Sequence, residues 1–323
     1  MLNTTENLDI LSPINQLNLY GYKSYFDLFI KLFKKNKLPN TVLLSGLKGI
    51  GKATFVYHFI NYLFSYNENN KYSVLDHTIN AENKSYKNLS NYTHPNFFLL
   101  ENRPFEENIK IEYVRDILRF LNKSTFFSDI KIVVIDNAEY LNINSSNALL
   151  KALEEPNLRT FFFIIHDSSH KILDTIKSRC VEFKFFFNAS AKKDIWESIN
   201  KHYKIQFNIN EITDNFYFNS PGTTLRYLKI LSEGNIGSLK DKLICISYLI
   251  DKYKQKKDPQ LLTFISSLIE IFYNELSLNN NKNLDIYFYN KHKILRQISD
   301  MRKFNLDKNN LFLSLQETLK NES

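Results

Sequence analysis

Apolar residues along this chain fall into short, nearly continuous runs separated by stretches of helical period. TVLLS at 41–45, NFFLL at 96–100, KIVVID at 131–136 and TFFFIIH at 160–166 are largely apolar on both faces of an extended chain. Between them, residues 25–35, 52–64, 111–121 and 145–153 repeat apolar positions three and four apart, which makes one face of a helix. Strands buried on both faces and alternating with helices predict a parallel sheet with helices on both sides. Residues 65–92 are rich in Asn, Ser, Lys and Tyr without a period and read as a long surface insertion or loop. From about 188 the strand-like runs stop. Residues 191–203, 223–232, 239–254, 260–276 and the tail from 284 onward carry helical spacing, broken by SPG at 220–222, EGNIG at 233–237 and LSLNNNKN at 276–283. The expected organisation is an α/β domain over 1–187, a small helical domain over 188–236 and an all-α domain over 237–323.

Composition narrows the class. Of 323 residues, 43% are hydrophobic and 24% charged, as in a folded chain rather than a disordered one. Two cysteines, Cys180 and Cys245, exclude a disulfide framework and a four-cysteine zinc site. The start, MLNTTENLDILSPINQ, lacks the basic and apolar regions of a signal peptide, and no apolar run approaches the ~20 residues of a membrane span. A cytoplasmic protein without a membrane partner is expected. The net charge of +8 permits a nucleic-acid partner. Abundant Lys, Asn, Ile, Phe and Tyr also fit an AT-rich coding sequence, so the charge alone points nowhere.

The chemistry starts at GLKGIGKAT, 46–54, between an apolar strand and a helix. Gly46, Gly49 and Gly51 let backbone N–H groups turn inward toward phosphate oxygens. The helix start adds its positive end, and Lys52 reaches the outer phosphates. The residue after the lysine is normally a hydroxyl that ligates Mg²⁺. Here it is Ala53; Thr54, turned by about 100° of helix, is no substitute metal ligand but counts with Gly46, Gly49, Gly51, Lys52 and Asp136 among the expected nucleotide-binding residues. IVVID ends in Asp136, the carboxylate expected to orient Mg²⁺. The next residue, often a glutamate that activates water, is Asn137, which accepts no proton at neutral pH. Glu139 reads as a surface charge.

NALLKALEEP at 147–156, a strand, and then LDTIKSRC at 173–180 follow in that order. With LPN at 38–40, HPN at 94–96 and NSPG at 219–222, the chain resembles the clamp-loader branch of the AAA+ ATPases that serves bacterial DNA polymerase III. The resemblance covers about residues 15–230. It implies an AAA+ P-loop domain, a helical lid and a helical collar that oligomerises. It implies membership of a hetero-pentamer of motor and delta subunits that opens a sliding clamp and places it on primer-template DNA. Within that branch the expected role is a stator that hydrolyses little ATP and lends Arg179, in its SRC motif, to a neighbour's ATP site. The alternative is an active motor subunit. The resemblance also implies that Gly222 stands where motors carry a phosphate-sensing arginine, with Arg226 one turn further on. Relatives carry a four-cysteine zinc module where this chain has 65–92, and His77 alone holds no zinc. No cofactor is required on this reading, weak ATP or ADP binding is allowed, and no metal is expected. Ser145 and Ser146, at a helix start, are candidate DNA contacts, with helix capping by 144–147 as the competing role. Cys180 reads as a small buried residue, and the lysines at 252–257 as a solvated helix end.

Overall fold

A computed structural model describes residues 12–102, 108–123, 130–203, 205, 207–216, 219–279, 283–304, 312–313, 315 and 317–319. The N-terminal stretch read above for targeting signals lies mostly outside the described residues, as does most of the tail past 304. The described residues form two compact units. One runs to residue 199 and includes 220–223; the other holds 200–219 and the chain from 224 onward.

The first unit opens with α1 (Lys23–Lys34), β1 (Thr41–Gly46), α2 (Lys52–Phe64), α3 (Lys84–Ser90) and β2 (Phe97–Leu100). It continues with α4 (Ile111–Leu121), β3 (Lys131–Ile135), α5 (Ile143–Glu154), β4 (Thr160–Asp167), α6 (Asp174–Lys177) and β5 (Val181–Lys184). The five strands are all parallel, in the order β2-β3-β4-β1-β5. β1, β3 and β4 are buried at every residue, which is why their sequences are apolar without alternation. One face packs against an aromatic layer in which Phe26, Phe29, Phe55 and Phe59 are fully buried, with ring pairs such as Phe29–Phe55 edge-on at 5.0 Å. The other face packs against α4 and α5 through Val114, Ile117, Leu149 and Leu153.

α7 (Ala189–Tyr203) begins in this unit, where the Ile195 and Phe187 side chains crowd Gly21. The sequence boundary at 187 therefore falls before α7, whereas the packing boundary falls within it. The second unit contains α8 (Ile209–Asn215) and most of α9 (Pro221–Ser232), then α10 (Lys242–Lys256), α11 (Pro259–Asn279) and α12 (Leu284–Phe304). Tyr227 stacks on Phe264 at 3.8 Å, and Lys242 pairs with Glu275 at 2.8 Å to join α10 to α11. Residues 261–278 of α11 are long and apolar enough to cross a membrane by length and composition, contrary to the sequence expectation. α11 packs between α10 and α12, with Phe264, Ile265, Leu268 and Ile269 fully buried. Lys252 is not at a solvated end either: its ammonium is bonded to Glu233 and lies over the Tyr248 ring.

The 65–92 segment is ordered rather than a loose loop. Tyr72 is buried, stacks on Phe26 at 5.1 Å, and lies 3.0 Å from His58 Nδ1. Burial pushes the His58 pKa down to about 3, so it packs as a neutral ring. The Glu68 carboxylate accepts the Lys84 and Ser85 N–H groups at 2.9 and 3.0 Å, satisfying the start of α3. His94 stacks on Phe64 at 4.0 Å, and His77 is buried edge-on to Phe26. Aromatic packing and helix capping thus anchor the segment. Tyr72→Ala should cost about 3 kcal/mol or more, as for other buried rings cut to alanine. Treatment with a metal chelator should leave the melting temperature unchanged; thermal unfolding checks both.

Candidate phosphate loop and arginine site

Gly49 and Gly51 adopt φ of 78° and 97°, a region costly for any residue with a Cβ, and so turn the chain between β1 and α2. The loop is closed on itself. Lys52 is buried, and its ammonium donates to the Gly46 and Leu47 carbonyls at 2.6 and 2.9 Å. Residues 220–223 cover the loop's other side. The Ser220 hydroxyl donates to Lys48 O at 2.5 Å, the Thr223 hydroxyl to the same oxygen at 3.2 Å, and the Gly222 N–H to Gly49 O at 2.9 Å. The first N–H of α9, that of Gly222, therefore meets a loop carbonyl. A Cβ on Gly222 would stand 2.5 Å from Gly49 O, so the position takes no side chain as packed. Tyr22, in the left-handed region at φ 57°, stacks on Phe187 at 4.2 Å beside Gly51. Ala53 packs against the core under the loop, and Thr54 is half-buried.

Beyond the strand ends sits a ring of charge. Asp136 follows β3, and its Oδ1 accepts the Asn137 N–H at 2.8 Å. Burial, with the carboxylates of Glu101 and Glu139 adding to it, pushes the Asp136 pKa up to about 6. Glu139 is not a free surface charge: the turn at 138–140 brings it across, and its Oε2 accepts the Asp167 N–H at 3.1 Å. Burial works to raise the Asp167 pKa, but the Ser169 donors, Lys52 and His170 outweigh it and hold the carboxyl below its usual range. Burial lowers the Lys52 pKa, against the pull of Asp167, Asp136 and Glu139. Glu139, Asp167 and His170 place ligand-type atoms within 4.8 Å of one another. Sequence spacing had no means of finding them, since β4 and the turn after β3 are joined only by folding.

Arg179 lies elsewhere. β5 pairs with β1 in the register Val42↔Val181 and Ser45↔Lys184. Arg179 lies two residues before Val181, in the turn that leads from α6 into β5. The phosphate loop leaves Gly46, four strand residues beyond Val181's partner Val42 and so about 13 Å further along the sheet at ~3.3 Å per residue. No single side chain spans that gap, so Arg179 does not serve this chain's own loop. Its guanidinium contacts the Glu154 carboxylate, with Nε donating to Oε1 at 2.6 Å. Cys180 is half-buried, its thiol pushed up to about 12 by burial, and packs as a small core residue.

Ser145 and Ser146 are not placed to touch DNA. Both are fully buried; the Ser145 hydroxyl donates to Ile109 O at 2.6 Å, and its N–H is taken by the Asn142 side chain at 2.8 Å. The capping residue of α5 is Asn142, two positions before the expected stretch, because the helix starts earlier than its apolar period shows.

Two outcomes follow from these contacts. Gly222→Ala should lower the melting temperature despite alanine's better helix propensity, because the added methyl group meets backbone rather than a yielding side chain. A carboxyl whose native pKa of about 6 lies above its ordinary 3.8 adds stability that is complete below 3.8 and lost as pH rises through 6. Asp136→Asn keeps the acceptor for the Asn137 N–H. It should raise the melting temperature at pH 7.5 and change it little near pH 4, as read by thermal scans at both values.

The profile of the family described as "DNA polymerase III, delta subunit" matches residues 21–188, just over half of the 323. "DNA polymerase III subunit delta'" of Pseudomonas aeruginosa is 35% identical over 140 residues, 43% of this chain and 41% of that protein. The same-named protein of Buchnera aphidicola subsp. Baizongia pistaciae is 26% identical over 294 residues, 80% of this chain and 86% of that one. A solved gamma subunit-related protein from Thermotoga maritima aligns at 15% identity and a TM-score of 0.48, over 91% of this chain and 99% of that one. The chain spans less than half of the Pseudomonas relative's length. With the phosphate loop, the parallel sheet and the matched profile in hand, the chain belongs to the DNA polymerase III delta-subunit family.

Proposed function

We propose that this chain is a stator subunit of a bacterial DNA polymerase III clamp loader. It hydrolyses little or no ATP and lends Arg179 to the ATP site of a neighbouring motor subunit. The observation that carries this reading is the separation of its two phosphate-type groups. The loop at the C-terminal end of β1 is filled by its own lysine and by residues 220–223, whereas Arg179 stands before the N-terminal end of the neighbouring β5, beyond reach of that loop. A guanidinium from a neighbour neutralises charge spread over the transferring phosphoryl oxygens and makes hydrolysis depend on assembly. Ala53, Asn137 and Gly222 stand at the positions of metal ligand, water activator and phosphate sensor, and each such group is worth ~10²-fold or more in rate.

The partners on this reading are motor and delta subunits in a hetero-pentamer, with sliding clamp and primer-template DNA met through the complex. The helices α10–α12 form the collar, and α12 leaves Ile286 and Tyr289 exposed for neighbours. The chain works within a DNA-directed DNA polymerase holoenzyme without a polymerase site of its own. It needs no zinc or other cofactor. Nucleotide binding is weak, because ATP or ADP has to displace Lys52 from two carbonyls and residues 220–223 from the loop. The motor reading is favoured by the glycine loop itself, GLKGIGK, and requires turnover by the isolated chain.

Arg179→Ala should leave this chain folded and assembled while hydrolysis at the neighbour's site falls by ~10³-fold or more. Arg179→Lys should rescue poorly, because an ammonium lacks the planar fork. Melting temperature and clamp-stimulated ATPase of a reconstituted complex test this together. Unchanged hydrolysis and clamp loading would end the proposal.

A further inference from the structure

Arg179 arrives already oriented. Its Nε donates to Glu154 Oε1 at 2.6 Å, and Nη2 makes a second contact with the same oxygen. Nη1 donates to the Thr175 carbonyl at 2.9 Å and stands 3.4 Å from the Ser178 hydroxyl. A guanidinium has five N–H groups in one plane. The two on the Nε side are spent on Glu154, and one on Nη1 is spent on Thr175. The second N–H of Nη2 and the long Ser178 contact remain at the far end of the fork. The side chain is 28% exposed, enough for that end to be met from outside.

The two holding groups come from separate elements. Glu154 is the last residue of α5, and Thr175 lies in α6, just before Arg179. Two anchors on different elements fix the plane of the guanidinium as well as its place. A lone exposed arginine would have to lose its rotamer freedom on meeting a ligand. Here that ordering is complete before any neighbour arrives, and a group that must meet a phosphoryl in the transition state gains most from such preparation.

We infer that Glu154 is a positioning residue for Arg179, holding the guanidinium by its Nε edge so that the opposite end faces a phosphate on the adjoining subunit. The inference rests on the trans-acting reading of Arg179. It goes beyond that reading by making the Glu154 carboxylate part of how the neighbour's site works. An ordinary surface ion pair of this exposure would do little for stability and nothing for a neighbour's hydrolysis.

The full chain, reconstituted with its motor subunits and ATP, allows the test. The probe is the phase of single-turnover ATP hydrolysis that Arg179→Ala removes. Glu154→Ala should slow that phase about tenfold at saturating ATP, as expected for a displaced rather than a missing group. The ATP concentration giving half the maximal rate and the melting temperature should both stay near the parent's. Glu154→Gln keeps an oxygen for the Nε–H and should recover most of the rate. The double variant should be no slower than Arg179→Ala alone, since both act through one group. If Arg179→Ala slows the phase and Glu154→Ala does not, the positioning role is overturned while the trans arginine stands. If neither variant slows hydrolysis, both readings fall. If Glu154→Ala acts only by lowering the melting temperature or blocking assembly, the pair is structural and the inference is overturned.

Discussion

Strand β1 is held by β4 along all six of its residues and by β5 along four, and none of it is open to solvent. A strand bonded on both sides and apolar on both faces has no second register that keeps its side chains in the core. Its length therefore sets a fixed distance. The phosphate loop hangs from one end, through Gly46, and the Arg179 segment is tied to the other through the pairing of Val42 with Val181. The loop and the arginine are held apart by a strand paired on both sides and buried along its length. On the proposed function that separation is useful, because the chain would turn its loop end to one neighbour and its arginine end to another.

What the sequence makes legible follows from periodicity. β1, β3 and β4 stand out because burial on both faces removes all alternation, and α4 stands out because Val114, Ile117 and Leu121 line one face. The glycine loop and Asp136 are legible as motifs because their chemistry depends on neighbours in the chain. Contacts between distant residues leave no such trace. Ser220 and Lys48 meet across 172 positions, Arg179 and Glu154 across 25, and neither pair belongs to a repeating pattern. The 65–92 segment reads as an insertion or loop without a period for a related reason. Its order comes from Tyr72, His58 and Glu68 reaching single partners, and polar or aromatic residues used one at a time have no period.

Charge at the loop is balanced internally. Lys52 sits among backbone carbonyls, with Asp136, Glu139 and Asp167 near enough to offset the cost of its burial. Asp136 is the member whose charge is least favoured, since burial and the carboxylates of Glu101 and Glu139 push its carboxyl toward the neutral form. The glycine loop and its lysine are thus bonded into the folded core.

The contact between Gly222 and Gly49 bears on which sequences lie within reach by mutation. Any side chain at 222 begins with a Cβ 2.5 Å from a backbone oxygen, so no single codon change there installs an arginine on the present backbone. The loop would first have to be prised away from 220–223, so a larger residue at 222 calls for a second change elsewhere: packing at this point couples the sequence of the loop to that of the α9 start.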